Sequence, residues 1–447
     1  MQGRNQLPIL FLNIISRAAT AALAITIAFA LTVVLAPSAQ AQSPATSGGW
    51  TEQVLYQFIS NGSPEGSILF DTAGNLYSTT AGGTSFCGTY GYGQVFELTA
   101  GPTARSGRWV EKSLHGFNFN GADGVCPEAG LIFDAAGNLY GTTVGGGTYN
   151  AGTVFELTPA GGGVWTEKVL HSFVGNSSDG WWPSDGLIFD AAGNLYGTTT
   201  TGGTSVYSCT GGCGTVFELS PAADGSWTER VLYNFGGPPD GAVPHDGLIF
   251  DAAGNLYGTT YAGGAYSCGQ YANGCGTVFE LSPIGDGNWA ESVLWSFGNG
   301  EDGAIPTAGL IFDTAGDLYG TTGAGGSGGG GTVFELSPSQ GWEQVLYNFR
   351  NTYPPMDGVG PEGGVIFDAL GNLYGTTELG GSQDSGTVFE LSPSGGGTWT
   401  EQLLYNFDGG SGAIPWAGLI FRGGNLYGTT TQGGNYGNGT VFELVRP

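Results

Sequence analysis

The sequence predicts an all-β protein: a seven-bladed β-propeller of four-stranded antiparallel blades, closed by its N-terminal strand. Three observations carry that prediction. One four-part phrase recurs seven times, every part is strand-like, and the N-terminus supplies the part that the last copy lacks. In the third copy the phrase reads Gly186-Leu-Ile-Phe-Asp, Gly193-Asn-Leu-Tyr-Gly-Thr-Thr, Gly214-Thr-Val-Phe-Glu-Leu and Trp227-Thr-Glu-Arg-Val-Leu-Tyr-Asn-Phe. The Asn of the second part, Asp in one copy, falls at 75, 138, 194, 255, 317, 372 and 425, a spacing of 53 to 63 residues. That period is longer than a solenoid coil and suits one small sheet per repeat.

Each part is a short run of Val, Ile, Leu, Phe, Tyr and Thr bounded by Gly, Pro, Asn, Asp or Ser, which is the pattern of strands joined by turns. Between the first two parts lies Asp-Ala-Ala-Gly-Asn, as in 190–194. Asp can bond the turn backbone and Gly can take a left-handed conformation, so a tight hairpin is expected there. By analogy with other propellers, the Gly-Leu-Ile-Phe-Asp strand is innermost and the Trp strand outermost. The chain ends on the third strand of the seventh copy, whereas 50–58 form a spare Trp strand. Pairing the two would close the ring and cover an open sheet edge.

Residues 1–41 read as a signal peptide. Arg4 and Arg17 precede the apolar run 18–36, and Ser38-Ala-Gln-Ala41 offers a cleavage site. Residues 42–49 then form a linker and 50–447 the propeller. An exported, extracellular or periplasmic protein is expected, with no membrane association after cleavage, and as a monomer. The net charge of −27 is largely scaffold: 20 of the 37 acidic residues recur at fixed places in the phrase. Such a surface repels nucleic acid, so that class of partner is excluded.

Gly-Asn-Leu-Tyr-Gly-Thr-Thr, Gly-Gly and Gly-Thr-Val-Phe-Glu-Leu, recurring in this order over 50–447, resemble the Gloeo/Verruco ("GloVer") tandem repeat of exported bacterial proteins. That choice-of-anchor family is described by C-terminal sorting signals, and none is recognisable here. The resemblance implies no activity or catalytic residue.

Positions filled alike in every copy serve the blades, so function is sought where copies differ. The repeated Trp is expected to pack between blades. The third-strand Glu should accept bonds from a neighbouring blade or hairpin, and His115 and His171 stand at the Tyr position of the outer strand. The loop after Gly-Thr-Thr has 9 residues in four copies but 13, 15 and 16 at 81–93, 200–214 and 261–276. It shares a face with the blade-connecting loops. All six cysteines lie on that face, with expected pairs Cys87–Cys126, Cys209–Cys213 and Cys268–Cys275.

The same face holds the aromatic candidates for a ligand: Trp181, Trp182, Trp416, Tyr149, Tyr266 and Tyr271. The connecting loops carry Asp-Gly-x-x-Pro with Asp123, Asp179, Asp240, Asp302 and Asp357, and with Ser60 and Ser411 in the other two copies. These carboxylates could gather a structural Ca²⁺ or cap their own turns; no other cofactor is expected. The favoured function is a non-catalytic binding or surface-interaction module for a glycan or protein. A secreted carbohydrate-active hydrolase or lyase, using Asp179, Asp185, His245, Asp246 or Glu301, is the second reading. A structural envelope component is the third.

Overall fold

The computed structural model describes residues 49–60, 62–82, 91–101, 109–176, 179–204, 209–268, 273–352 and 357–447. The expected signal peptide, and the linker up to residue 48, lie outside them. Among the described residues there are strands and turns and no helix long and apolar enough to cross a membrane.

Seven antiparallel blades follow one another. In blade 2, Ile132–Phe133 is innermost, followed by Leu139–Thr143, Thr153–Gly161 and the outermost Val164–Ser172. The innermost strand is shorter than the five-residue run in the sequence, because only Ile-Phe joins the ladder. The outer pairs share a bulge at an equivalent place, between Val154 and Phe155 here and between Val216 and Phe217 in blade 3, and blade 2 has a second between Pro159 and Gly161. A bulge there adds the twist a blade needs from inner to outer strand.

The hairpin chemistry is as the sequence implies. Asp190 Oδ1 accepts from the backbone N–H of Ala192 and Asn194 at 2.8 Å, and Oδ2 accepts from the Asn194 side chain at 2.8 Å and the Tyr196 hydroxyl at 3.2 Å. The third-strand Glu differs in part from expectation. A frequent partner is the Tyr of its own blade, as in Tyr140 to Glu156 at 3.0 Å, while in blade 7 the hairpin Asn425 also donates to Glu443 at 2.7 Å. The Glu also stays partly exposed, which lets Lys112 reach Glu97 and Arg230 reach Glu218. The register places Tyr140 opposite Glu156, so the nearest donor is on the adjacent strand.

The core lies between blades. Every third-strand Phe is fully buried and meets, edge to face, the Phe ending the outer strand of the preceding blade, as in Phe173–Phe217 and Phe235–Phe279, both 5.1 Å. Burying one Phe contributes about 1.5–3 kcal/mol, and an edge-to-face pair adds about 0.5–1.5 kcal/mol. The repeated Trp also packs across a seam: Trp227 meets Tyr140 at 6.4 Å and Trp289 meets Tyr196 at 6.4 Å.

The ring closes as the chain ends imply. Thr51–Gln57 pairs antiparallel with Thr440–Val445, from Thr51 opposite Val445 to Gln57 opposite Thr440. Trp50 then packs on Tyr374 of blade 6, and Phe58 on Phe96 of blade 1 at 5.1 Å. The N-terminal strand thus makes the seam contacts of an ordinary outer strand on both sides.

Candidate functional site

Both loop sets share one face and pair with each other. Gly124–Val125 of a connecting loop bonds Gly145–Gly146 of the loop after Gly-Thr-Thr, and Gly180–Trp181 bonds Thr201–Gly202 in the same way. A clamp then joins each connecting loop to the preceding blade. The repeated Pro sits on the Gly that opens the preceding third strand, so that a Cβ on Gly214 would stand 2.5 Å from Pro244 Cδ. The residue before the Pro donates its N–H to the preceding blade, as Val243 does to Cys213 at 2.8 Å and Ile305 to Cys275 at 2.8 Å. To reach both sides it takes a positive φ, 58° at Val243, 60° at Ile305 and 58° at Ile414. For a β-branched residue that backbone is costly; the seam bonds and packing hold it.

This rigid clamp presents the next residue to the axis. There the seven copies diverge: Glu65, Glu128, Ser184, His245, Thr307, Glu362 and Trp416. The following position adds Asp185 and Asp246. Convergence is visible in the electrostatics, because Glu128 of blade 2 feels both Glu65 of blade 1 and Asp185 of blade 3, and Asp185 feels Asp246 of blade 4. Carboxyls that open the innermost strands of consecutive blades therefore lie near one another.

Asp185 is buried, and Glu65, Glu128, Asp246 and Glu362 are partly exposed. Burial raises the pKa of Glu65, Glu128, Asp185, Asp246 and Glu362, and neighbouring carboxylates push Glu128 and Asp185 further. Glu378, beside Glu362, is pushed up to about 7 by burial and then by that neighbour. Burial lowers His245, which therefore stays neutral. Its ring lies 6.1 Å from that of Tyr261. Thr198 donates to Asp185 Oδ2 at 3.1 Å, the one neutral donor bonded to that carboxylate's side chain among the described residues. The residues at and after this position are thus carboxyls with raised pKa values, a neutral imidazole, hydroxyls and one indole.

The sequence pattern of the Gloeobacter/Verrucomicrobia repeat matches this chain at residues 44–272, 168–366 and 267–446. The chain belongs to the Gloeobacter/Verrucomicrobia repeat family. No curated protein matches it. Among solved structures it is similar to a periplasmic gluconolactonase of Pseudomonas aeruginosa, with 16% identity over 80% of this chain and 97% of that one and a TM-score of 0.47. It is also similar to the PQQ-bound aldose sugar dehydrogenase of Streptomyces coelicolor, with 12% identity over 90% and 99% of the two chains and a TM-score of 0.43.

Within this family's repeat, the candidates named from sequence separate into four groups. Trp416 follows the repeated Pro before blade 7 and is 39% exposed. Trp181 and Trp182 lie together, ring centres 4.8 Å apart, but Trp181 is packed on the core around Val154 and Phe173 and its indole N–H is buried without a hydrogen bond. Tyr149 and Tyr266 project from separate loops, both exposed; Tyr271 lies outside the described residues. The five loop aspartates stand one to a seam instead of gathering. Each caps its own loop and bonds the outer strand before it: Asp240 accepts from Tyr233 at 3.0 Å, Asp302 from Trp295 at 3.2 Å and Asp357 from Tyr347 at 3.1 Å, while Asp123 and Asp179 meet His115 and His171. Ser411 takes the same place against Tyr405 at 2.9 Å.

Cys209–Cys213 and Cys268–Cys275 are disulfides as expected. Cys126 is also disulfide-bonded; its expected partner Cys87 lies outside the described residues. Glu65, Glu128, Glu362 and Glu378 were not singled out from sequence. The signal available was the divergence of the residue after an otherwise repeated Pro.

Proposed function

We propose that this chain is an exported binding propeller that takes a hydroxyl-rich ligand, a glycan chain end, at the axial mouth of its loop face without turning it over. One observation carries the reading: the position after the repeated Pro holds five residue types across the seven blades, and carboxyls at or next to it in blades 1 to 4 lie near one another. Carboxylates, hydroxyls and a neutral imidazole match sugar hydroxyls as acceptors and donors, and the exposed indole of Trp416 offers a flat apolar surface to a sugar ring. The paired cysteines support an oxidising compartment. A glycan array followed by fluorescence titration tests this. Trp416→Ala and Glu128→Gln should each weaken binding at least about tenfold, roughly 1.4 kcal/mol. An array without a hit, or affinities unchanged in both variants, overturns the reading.

A second reading is favoured by the raised carboxyls. Glu128 keeps a proton near neutral pH beside carboxyls of adjacent blades, and an acid paired with a base is what glycoside cleavage requires. Under this reading Glu128→Gln abolishes turnover of a labelled oligosaccharide while leaving its binding largely intact.

A further inference from the structure

Each seam between consecutive outer strands is built from three positions: a residue near the end of one outer strand, the Asp or Ser of the connecting loop, and the Glu after the Trp of the next blade. Most seams place Tyr or Trp at the first position. The seams between blades 1 and 2 and between blades 2 and 3 place His there instead: His115 with Asp123 and Glu167, and His171 with Asp179 and Glu229. In each trio the imidazole nitrogen and the two carboxylate oxygens all lie within 4.8 Å of one another.

The details are compatible with metal ligation as well as with a hydrogen-bonded triad. His115 Nε2 is 3.3 Å from Asp123 Oδ1, and His171 Nε2 is 3.3 Å from Asp179 Oδ2. That is long for a bond to a carboxylate, about 2.7–2.9 Å. It equals the roughly 3.3 Å edge of a tetrahedron whose metal–ligand bonds are about 2.0–2.1 Å. Glu167 Oε1 and Glu229 Oε1 are buried and make no hydrogen bond, as also holds for Glu52, Glu291, Glu343 and Glu401 at other seams, so the imidazole is what sets these two seams apart. Backbone groups hold the aspartates in place: the Asn118 N–H reaches Asp123 Oδ2 at 2.9 Å, and the Val174 N–H reaches Asp179 Oδ2 at 2.8 Å. Such outer bonds orient ligating carboxylates. Asp123 and Asp179 are only 7% and 5% exposed, while both imidazoles keep an open edge.

We propose that His115–Asp123–Glu167 and His171–Asp179–Glu229 are two zinc sites, each with three protein ligands and one position left for water. One nitrogen and two oxygens suit Zn²⁺, whereas the imidazole disfavours Ca²⁺. Two carboxylates and a neutral imidazole balance the ion's charge. Because the ligands come from adjacent blades, each ion would tie its seam together. This site is separate from the axial mouth and does not depend on what binds there.

The test uses the full exported chain without a polyhistidine tag, stripped with chelator and titrated with ZnCl₂, with CaCl₂ as the control. Bound zinc is read by calorimetry and elemental analysis. Two zinc ions per chain are expected, falling to one in His115→Tyr or His171→Tyr and to none in the double variant. Tyr is the residue other seams carry at this position, so these variants should keep the fold. Glu167→Gln with Glu229→Gln should give the same loss through the other ligand. The melting temperature should rise with zinc in the unaltered chain only. No zinc uptake, the same stoichiometry in the double His variant, or equal uptake of calcium would overturn the proposal.

Discussion

Gly214 and Gly193 both have positive φ, 97° and 89°, yet they should respond differently to one added methyl group. A Cβ on Gly214 would meet both Pro244 Cδ and the Thr199 carbonyl oxygen at 2.5 Å, whereas one on Gly193 meets nothing within 4 Å. Gly193→Ala should therefore cost only the left-handed backbone penalty, about 1–2 kcal/mol. Gly214→Ala must also displace the Pro clamp and should cost more than about 3 kcal/mol. Urea denaturation measures both; equal costs would show that the clamp is soft. The Asp190 hairpin was readable from its residue types alone. The positive φ of Val243, Ile305 and Ile414 was not, because Val and Ile normally avoid that backbone and only bonds to the preceding blade hold them there.

The element most exposed to a decisive test is the N-terminal strand. Removing 50–58 strips blade 7 of its outer strand and takes away the buried Trp50, Leu55 and Phe58. At about 1.5–3 kcal/mol for each such side chain, the loss is on the order of the whole stability of a domain, about 5–15 kcal/mol. The truncated chain should melt far lower or fail to fold cooperatively. A melting temperature equal to that of the full chain would mean that blade 7 needs no outer strand. This element was legible because the spare part and the missing part sit at opposite ends of a seven-copy pattern. The length of the innermost strands was not, since Gly-Leu-Ile-Phe-Asp gives no sign of where the ladder stops.

The molecule as a whole should be more stable in mild acid than at neutral pH. At the seams with Tyr or Trp, Glu52, Glu291 and Glu401 are pushed up to about 7 and Glu343 to about 8, by burial first and a nearby Asp second. Such a carboxyl holds its proton more tightly folded than unfolded. Its contribution is complete below the ordinary value of 4.5 and is lost as pH rises through 7 to 8. The hairpin aspartates work in the opposite direction. Burial would raise Asp134 and Asp368, but bonds from Asn138 and Asn372 outweigh it and hold both below 3.8. Their contribution is lost as pH falls through that lowered range. The melting temperature should therefore peak near pH 5 and fall toward pH 8. A flat or rising profile from 5 to 8 would mean that the seam carboxyls are already ionised in the fold.

By itself the sequence determined the seven blades, the four strands in each, the hairpin turns, the closing strand and the face that bears the variable loops. Those are short-range properties written in residue type and repeated often enough to be unmistakable. The tertiary structure alone decided which variable residues meet. Glu65, Glu128, Asp185 and Asp246 come from four blades, and nothing in the spacing of separate repeats says that each lies near the next. His115 and Glu167 likewise belong to different blades and become neighbours only at a seam. Repetition encodes each blade locally, but a site between blades depends on how the ring sets one copy against the next.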